Sequence, residues 1–557
     1  PASGPLIPLD SSPINPHNPM LPTRQAGVGG SVRILGRRVG VLDEAMIDTT
    51  GASGGGEILV GGDWQGHNPE VQNAQATFVA ASARLDASAT DFGKGGKVVV
   101  WADEAARVYG HIAARGGALG GDGGFIETSG KRYLDIGQAA DASAANGLAG
   151  TWLLDPRNVT IVASNTVPSL DLQTPDFSPG QDNSTITSSV INTALNAGTS
   201  VNIDTGSDGT QAGDITVSAA ISKTAGGNAT LTLNAHNNIN LNASISSTTG
   251  QLNLDLNADS DSSGAGTANL ASTLALNGGT LTGGNGAVRV TGGATATLDN
   301  VILNTNVDIT GNASLNIQNG LTLNSTITLG DQSSTSYGYM NWLGTQTLTG
   351  TGNIVFNANT ASGYTAYLRG SGAASTLTLD TGIGLQHTGG YGVLGNSGYN
   401  LINKGTITGS NATASQTLII AGTSFDNQGT VLATGGGDVL INATNWTNTG
   451  TLQTATGSTL SLDGTFGTAA LNGLVNTGGT TFINGTLNNV GNTLTLNDSK
   501  GSLSFNTGLI QGGTLAVAIG SSAKYILSGN RSGTFDNVIL NTNVDITGNA
   551  SLNIQNG

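Results

Sequence analysis

Cysteine is absent from all 557 residues. Disulfide frameworks and thiolate metal sites are therefore excluded, and a metal would need histidine and carboxylate ligands instead. Charge is scarce: 10% of residues are Asp, Glu, Lys or Arg, against roughly 25% in an average chain. Disordered chains usually join low hydrophobicity to high net charge, so this composition does not fit that class. Basic residues are the rarer sign, 19 against 35 acids, for a net charge of −16. Nucleic acid is excluded as a partner on that ground, because phosphate binding needs clustered Lys and Arg. Aromatics amount to 4%, which suits an exposed shaft better than a catalytic cleft. No apolar run approaches the roughly 20 residues of a membrane-spanning helix.

What is abundant is glycine, 86 residues, and repetition. The segment 299–320, DNVILNTNVDITGNASLNIQNG, returns unchanged at 536–557. The offset, 536 − 299, is 237. Self-similarity at a fixed offset signals a repeat architecture, in which each turn of chain packs only on its neighbours. The unit reads as 299–535, with the next copy starting at 536. Because the chain opens on Pro1 and stops where the second copy stops, it is expected to be a window of a longer tandem array.

Four regions follow from composition. Residues 1–30 hold seven of the twelve prolines and read as a linker or edge segment. Residues 31–161 alternate short Val/Ile/Leu runs with glycine corners, as at Gly54–Val60 and Gly95–Val100; the runs have strand length, and the glycines interrupt any helical period. Twelve of the nineteen basic residues precede residue 160, which marks a boundary between two kinds of repeat. Residues 162–213 form a connector. Pro168, Pro175 and Pro179 punctuate a loop. Ser184 is then expected to cap a helix near 184–197, with Ile186, Val190, Ile191, Ala194 and Leu195 on one face and Gly198 at its end. Residues 214–557 alternate aliphatic with Thr, Asn or Ser, which places aliphatic side chains inside and polar ones outside. An Asn-x-Gly corner recurs at Asn403, Asn427, Asn448, Asn476 and Asn506, at spacings of 24, 21, 28 and 30. Asn tolerates left-handed backbone, and its amide can stack in ladders between coils. At roughly 20 to 25 residues per coil, on the order of 25 coils are expected.

Glu127, Thr128, Ser129, Gly130 and Lys131, followed by Gly150 to Ile161 (GTWLLDPRNVTI), resemble the filamentous-haemagglutinin family of large bacterial exoproteins. The likeness is specific over roughly 30–161 and looser beyond. It implies a right-handed parallel β-helix, export through an outer-membrane two-partner transporter, and an extracellular or surface-attached location. The absence of cysteine is consistent with passage across membranes unfolded.

Sites of chemistry are few. His17, His67, His111, His236 and His387 are scattered and form no cluster with carboxylates. Asp259 and Asp261 with Gly264 copy the first half of a calcium loop, but the twelfth position is Leu270 instead of a bidentate Glu; an acidic corner is the simpler reading. Trp64, Trp101, Trp152, Trp342 and Trp446 could stack on sugars, although core packing is the ordinary fate of tryptophan. The densest aromatic cluster, Tyr337, Tyr339 and Trp342, is the place to look for a glycan contact. No catalytic residue, metal ligand set or cofactor is assigned. The expected function is an adhesin stalk that contacts cells, matrix or polysaccharide, as in a biofilm. The rivals are a fibre built by end-to-end or lateral self-association and, less well supported, a polysaccharide-active enzyme.

Overall fold

The structure, a computed structural model, describes residues 27–164, 183–206, 211–361, 363–413 and 416–557. The proline-rich segment up to residue 26, with His17, and the loop prolines Pro168, Pro175 and Pro179 lie outside the described residues. The fold is a parallel β-solenoid of about 20 turns with 3% helix. The count falls below the expected one because excursions lengthen some coils. Thr295 pairs with Ser314 across a short coil, whereas Glu57 pairs with Lys97 across one about twice as long. Two compact units divide the chain, one up to Ala287 and one from Val288 to Gly557.

In the first unit each coil lays strands on up to three faces. The first face stacks Ser31–Ile34, Glu57–Val60, Lys97–Ala102, Phe125–Gly130, Thr151–Asp155 and Ser200–Asp204 in parallel register. Inward aliphatics lie on their equivalents: Val201, Leu231, Leu254 and Leu281 form one column, none more than 1% exposed. Full burial of each such side chain stabilises by about 1.5–3 kcal/mol. After their first residues, Glu57 and Lys97, strands 57–60 and 97–102 are unbroken apolar runs because both of their sides are covered. Residues 61–75 cross the outer side, and Val71 packs there with Leu59, Val99 and Trp101. A strand buried on both faces loses its alternation.

The connector helix spans Ser188–Ala197, shorter than expected. Ser184 is not its cap. Asn183–Thr187 is a strand, paired with Asn158–Val162, and the buried Ser184 hydroxyl accepts the Leu134 N–H at 3.0 Å. Ile186 is likewise a strand residue, buried in the core. Val190, Ile191, Ala194 and Leu195 are the buried helical face, and Gly198 ends the helix at φ 84°. A helix offers no ladder carbonyls sideways, so its side chains replace them. Asn192 Oδ1 accepts Ser222 N–H at 2.8 Å, and Asn196 Oδ1 accepts the N–H groups of Thr224 and Ala225 at 2.6 and 3.0 Å. On the preceding side, Thr199 Oγ1 accepts Ala142 N–H at 2.9 Å.

In the second unit the asparagine corners split into two groups. Asn403 donates to Asn427 Oδ1 at 2.7 Å, Asn427 to Asn448 Oδ1 at 2.6 Å, and Asn448 to Ala470 O at 2.8 Å. All three are buried. Asn476 and Asn506 stand outside this ladder. The 3-10 turn Thr468–Leu471 supplies the Ala470 carbonyl that ends it, and Asn476 instead donates to Gly479 O at 3.1 Å. None of the five has positive φ; the left-handed asparagines are others, among them Asn300, Asn312 and Asn319.

The identical segments keep their local pairing. Thr295↔Ser314 to Asp299↔Gln318 is matched by Ser532↔Ser551 to Asp536↔Gln555. Val288↔Val307 is matched by Tyr525↔Val544. Asn300 and Asn537 share φ of 50° and 56°, and Gly311 and Gly548 both have 66°. Equivalent placement fails, however. Following the pairings along the unit, Ala313–Leu323 opens on the face that carries Val544–Thr547, not on the face of Ser551–Gln555. The second copy is therefore turned by one face. Burial differs too. Val301, Leu303, Val307, Ile309, Leu315 and Ile317 are buried, whereas Leu540, Ile546 and Ile554 are 44%, 47% and 58% exposed and Val538, Val544 and Leu552 half-buried. The second copy forms the last described coil and has a neighbour on one side only.

Replacing Asn427 with Leu strips both of its neighbours of a buried amide partner. Asn427→Leu is expected to lower the unfolding free energy of the second unit by about 2 kcal/mol, read by urea denaturation. Thr444→Ala, at an exposed position, should change it by less than about 0.5 kcal/mol. Equal effects would show that the ladder is not structural.

Candidate functional site

Strand alternation decides which aromatics of the second unit meet solvent. In Gly338–Leu343, Met340 and Trp342 point inward, while Tyr339 and Asn341 point outward. The next coil brings Tyr367 beside Tyr339 and Arg369 beside Asn341. The two tyrosine rings stack at 5.3 Å with 15° between planes. Tyr337 extends the patch, 6.0 Å from Tyr339 and 5.0 Å from Tyr364. The Arg369 guanidinium lies 4.7 Å from the Tyr339 ring centre and 5.5 Å from that of Tyr367. Its Nε donates to Asn341 Oδ1 at 3.2 Å. Burial pushes the Tyr339 hydroxyl up from its ordinary range, with Arg369 opposing. The outward column continues through Val393, Ile419 and Leu440.

Trp342 does not belong to this face. It is 0% exposed and meets Tyr399 edge-on at 5.8 Å. Residues three apart on a strand lie on opposite sides, so Tyr339 and Trp342 cannot share a surface. Tyr364, Tyr367 and Arg369 were missed because their contact with Tyr339 depends on coil length; the signal was the recurrence of Tyr at 339 and 367, one coil apart.

At the acidic corner, the Asp259 oxygens accept the Ser263 hydroxyl at 2.8 Å and the Gly264 N–H at 3.1 and 3.0 Å. The Ser263 hydroxyl and the Gly264 N–H hold its carboxyl below the usual range. Asp261 faces His236 Nε2 at 3.4 Å. Among the described residues no group of three or more His, Asp or Glu is arranged to hold a metal.

The first unit gathers acids that sequence reading did not single out as a site. Glu127, 0% exposed, lies under the crossing segment 61–75 and accepts the Gln65 N–H at 3.0 and 3.2 Å. Burial pushes its carboxyl up to about 7; Ser129, Gln65 and Lys97 pull the other way and Asp63 adds repulsion. Asp155 is raised well above its ordinary value by burial, then by the charges of Asp204 and Glu127. Asp63 goes the opposite way. Burial works against its ionisation, but hydrogen bonds from Asn68, Lys97 and Trp64 N–H outweigh it and hold it at about 2. Glu127 is thus a positioning group for the crossing segment, sealed from solvent. The tyrosine face is the open surface: stacked rings with a guanidinium offer an apolar platform and a donor edge, which suits sugar rings.

No protein-family model matches the chain, and no curated protein matches it.

Because Glu127 holds its proton more tightly when folded, its contribution to stability is present in full below about pH 4.5 and is lost as pH rises through about 7. Asp155 acts in the same direction. Melting of the first unit should therefore fall over this window, and Glu127→Gln should flatten the slope while leaving the Asp155 part. A slope identical in variant and wild type would rule out Glu127 as its source.

Proposed function

We propose that this chain is a β-solenoid segment of a large extracellular bacterial adhesin of the filamentous-haemagglutinin kind, which contacts polysaccharide on cells or matrix. The observation that carries this reading is the tyrosine face: four outward tyrosines on two adjacent coils with Arg369 over two of the rings. Outward strand positions elsewhere are mostly Thr, Asn and Ser, so a cluster of large rings there is a departure that core packing does not require. The parallel stack supports a role in display, since among the described residues each coil's strands are hydrogen-bonded to those of its neighbours. Export by a two-partner transporter, surface location and a part in biofilm belong to the same proposal.

Binding of the purified chain to immobilised polysaccharides and to bacterial and host cell surfaces tests it. The Tyr339→Ala/Tyr367→Ala double variant should lose about tenfold or more in affinity, with an unchanged melting temperature. Binding that survives the double variant, or no binding to any surface tried, would overturn the reading.

A further inference from the structure

Four of the five tryptophans are packed away: Trp101 and Trp446 are 3% exposed, Trp152 and Trp342 0%. Trp64 is 51% exposed. It stands on the short 3-10 turn Trp64–Gly66, and the polar contacts around it hold the turn rather than the ring. Asp63 Oδ1 accepts the Trp64 N–H at 2.7 Å and also the Lys97 ammonium, while Oδ2 accepts Asn68 Nδ2 at 2.8 Å. Gln65 is left-handed at φ 48° and aims its N–H at the buried Glu127. A non-glycine residue in that conformation and a fully buried carboxyl group each cost stability. Gln65 is the next residue after an indole that stays half in water, with the His67 ring against its edge at 6.2 Å.

Beside the indole runs a groove of about 600 Å³. Phe125, Lys94 and Lys97 line it, and glycines such as Gly56 and Gly96 pave it. Those glycines are demanded by coil stacking. A Cβ on Gly56 would come within 2.0 Å of Gly30 O, and one on Gly96 within 2.0 Å of Gly56 O. The floor is consequently bare backbone, which a flat ring can approach closely. Lys97 is matched by Asp63 and by Glu57 at 3.6 Å. Lys94 is exposed and makes no ion pair among the described residues.

We propose that this groove is a second glycan site, one that binds a polysaccharide of mixed neutral and uronic-acid sugars. A neutral pyranose stacks its CH face on Trp64, and the carboxylate of a neighbouring sugar pairs with Lys94. The groove offers one unmatched cation, Lys94, beside a Lys97 already paired with Glu57 and Asp63, so it accommodates an isolated carboxylate and gives a continuous run of them no further partner. The ligand class rests on the glycan-contact reading above; the site itself does not involve the tyrosine face.

Acrylamide quenching of the full chain isolates Trp64, since the other four indoles are buried. Oligosaccharides of hyaluronan, alternating uronic acid and N-acetylhexosamine, should protect the quenchable indole, and fully charged polygalacturonate oligosaccharides should do so far less. By calorimetry, Trp64→Ala should weaken hyaluronan binding about tenfold or more, Trp64→Phe less, and Lys94→Ala severalfold. Absence of protection in the wild type, or unchanged affinity in Trp64→Ala, overturns the site. Unchanged affinity in Lys94→Ala, or equal protection by polygalacturonate, overturns the carboxylate assignment. Retention of tyrosine-dependent binding while hyaluronan fails sinks this site alone; loss of tyrosine-dependent binding with hyaluronan protection intact sinks the earlier reading alone.

Discussion

Every coil must hand its backbone donors and acceptors to the coil above and below, and the rest of the structure depends on meeting that demand. Within strands the parallel ladder meets it without side chains. Where the chain leaves strand geometry, side chains take over the backbone's role. Asn192, Asn196 and Thr199 do so around the helix, and Ser184 does so for the strand that precedes it. Lys223 does it at a corner, where its fully buried ammonium donates to the carbonyls of Ala225, Gly226 and Thr249 at 2.7, 3.2 and 2.6 Å. One coil on, Ser247 makes the same kind of bond to Thr249 and Gly250. The abundance of Asn, Ser and Thr thus has a cause in the ladder: their short side chains carry the same donors and acceptors as a peptide group.

This explains how much was legible in the sequence. Period-two alternation announced strands from residue 214 onward, and the buried columns through Leu231 and Leu254 follow it. Glycine corners announced the turns before residue 161. Continuous runs such as 97–102 were read as strands from their length, but their second buried face was not legible, because the segment that covers them lies in another part of the coil. Ser184 was misplaced for a related reason. Local preference made it a helix cap, whereas a distant N–H, that of Leu134, claimed its hydroxyl. Sequence showed which residues could replace the backbone; the stack determined which ones do.

The candidate site was half legible on the same grounds. Tyr337 and Tyr339 stood out as a cluster, and simple alternation would have removed Trp342 from it. Tyr367 and Arg369 could be joined to them only by knowing where this coil closes, with Tyr367 over Tyr339. Coil length is the quantity that excursions perturb, so contacts across the stack are the least readable feature of such a chain. The asparagine corners show the limit directly: the ladder holds from Asn403 through Asn427 to Asn448 and ends where a 3-10 turn lengthens the coil.

The repeated segment shows what this leaves free. The same stretch of sequence lies on different faces in its two occurrences, yet keeps its local pairing register and the left-handed backbone at Asn300 and Asn537. The inward pattern of one aliphatic at every second position is therefore common currency among faces and carries no address. Distinction must come from outward positions, which the stack constrains only weakly. Large rings at Trp64, Tyr339 and Tyr367 are departures of that kind. At Trp64 the departure sits on a crossing segment that the left-handed Gln65 anchors to the buried Glu127. A solenoid can therefore change what it touches by altering outward residues and excursions while its inward columns, and hence its stability, stay as they are.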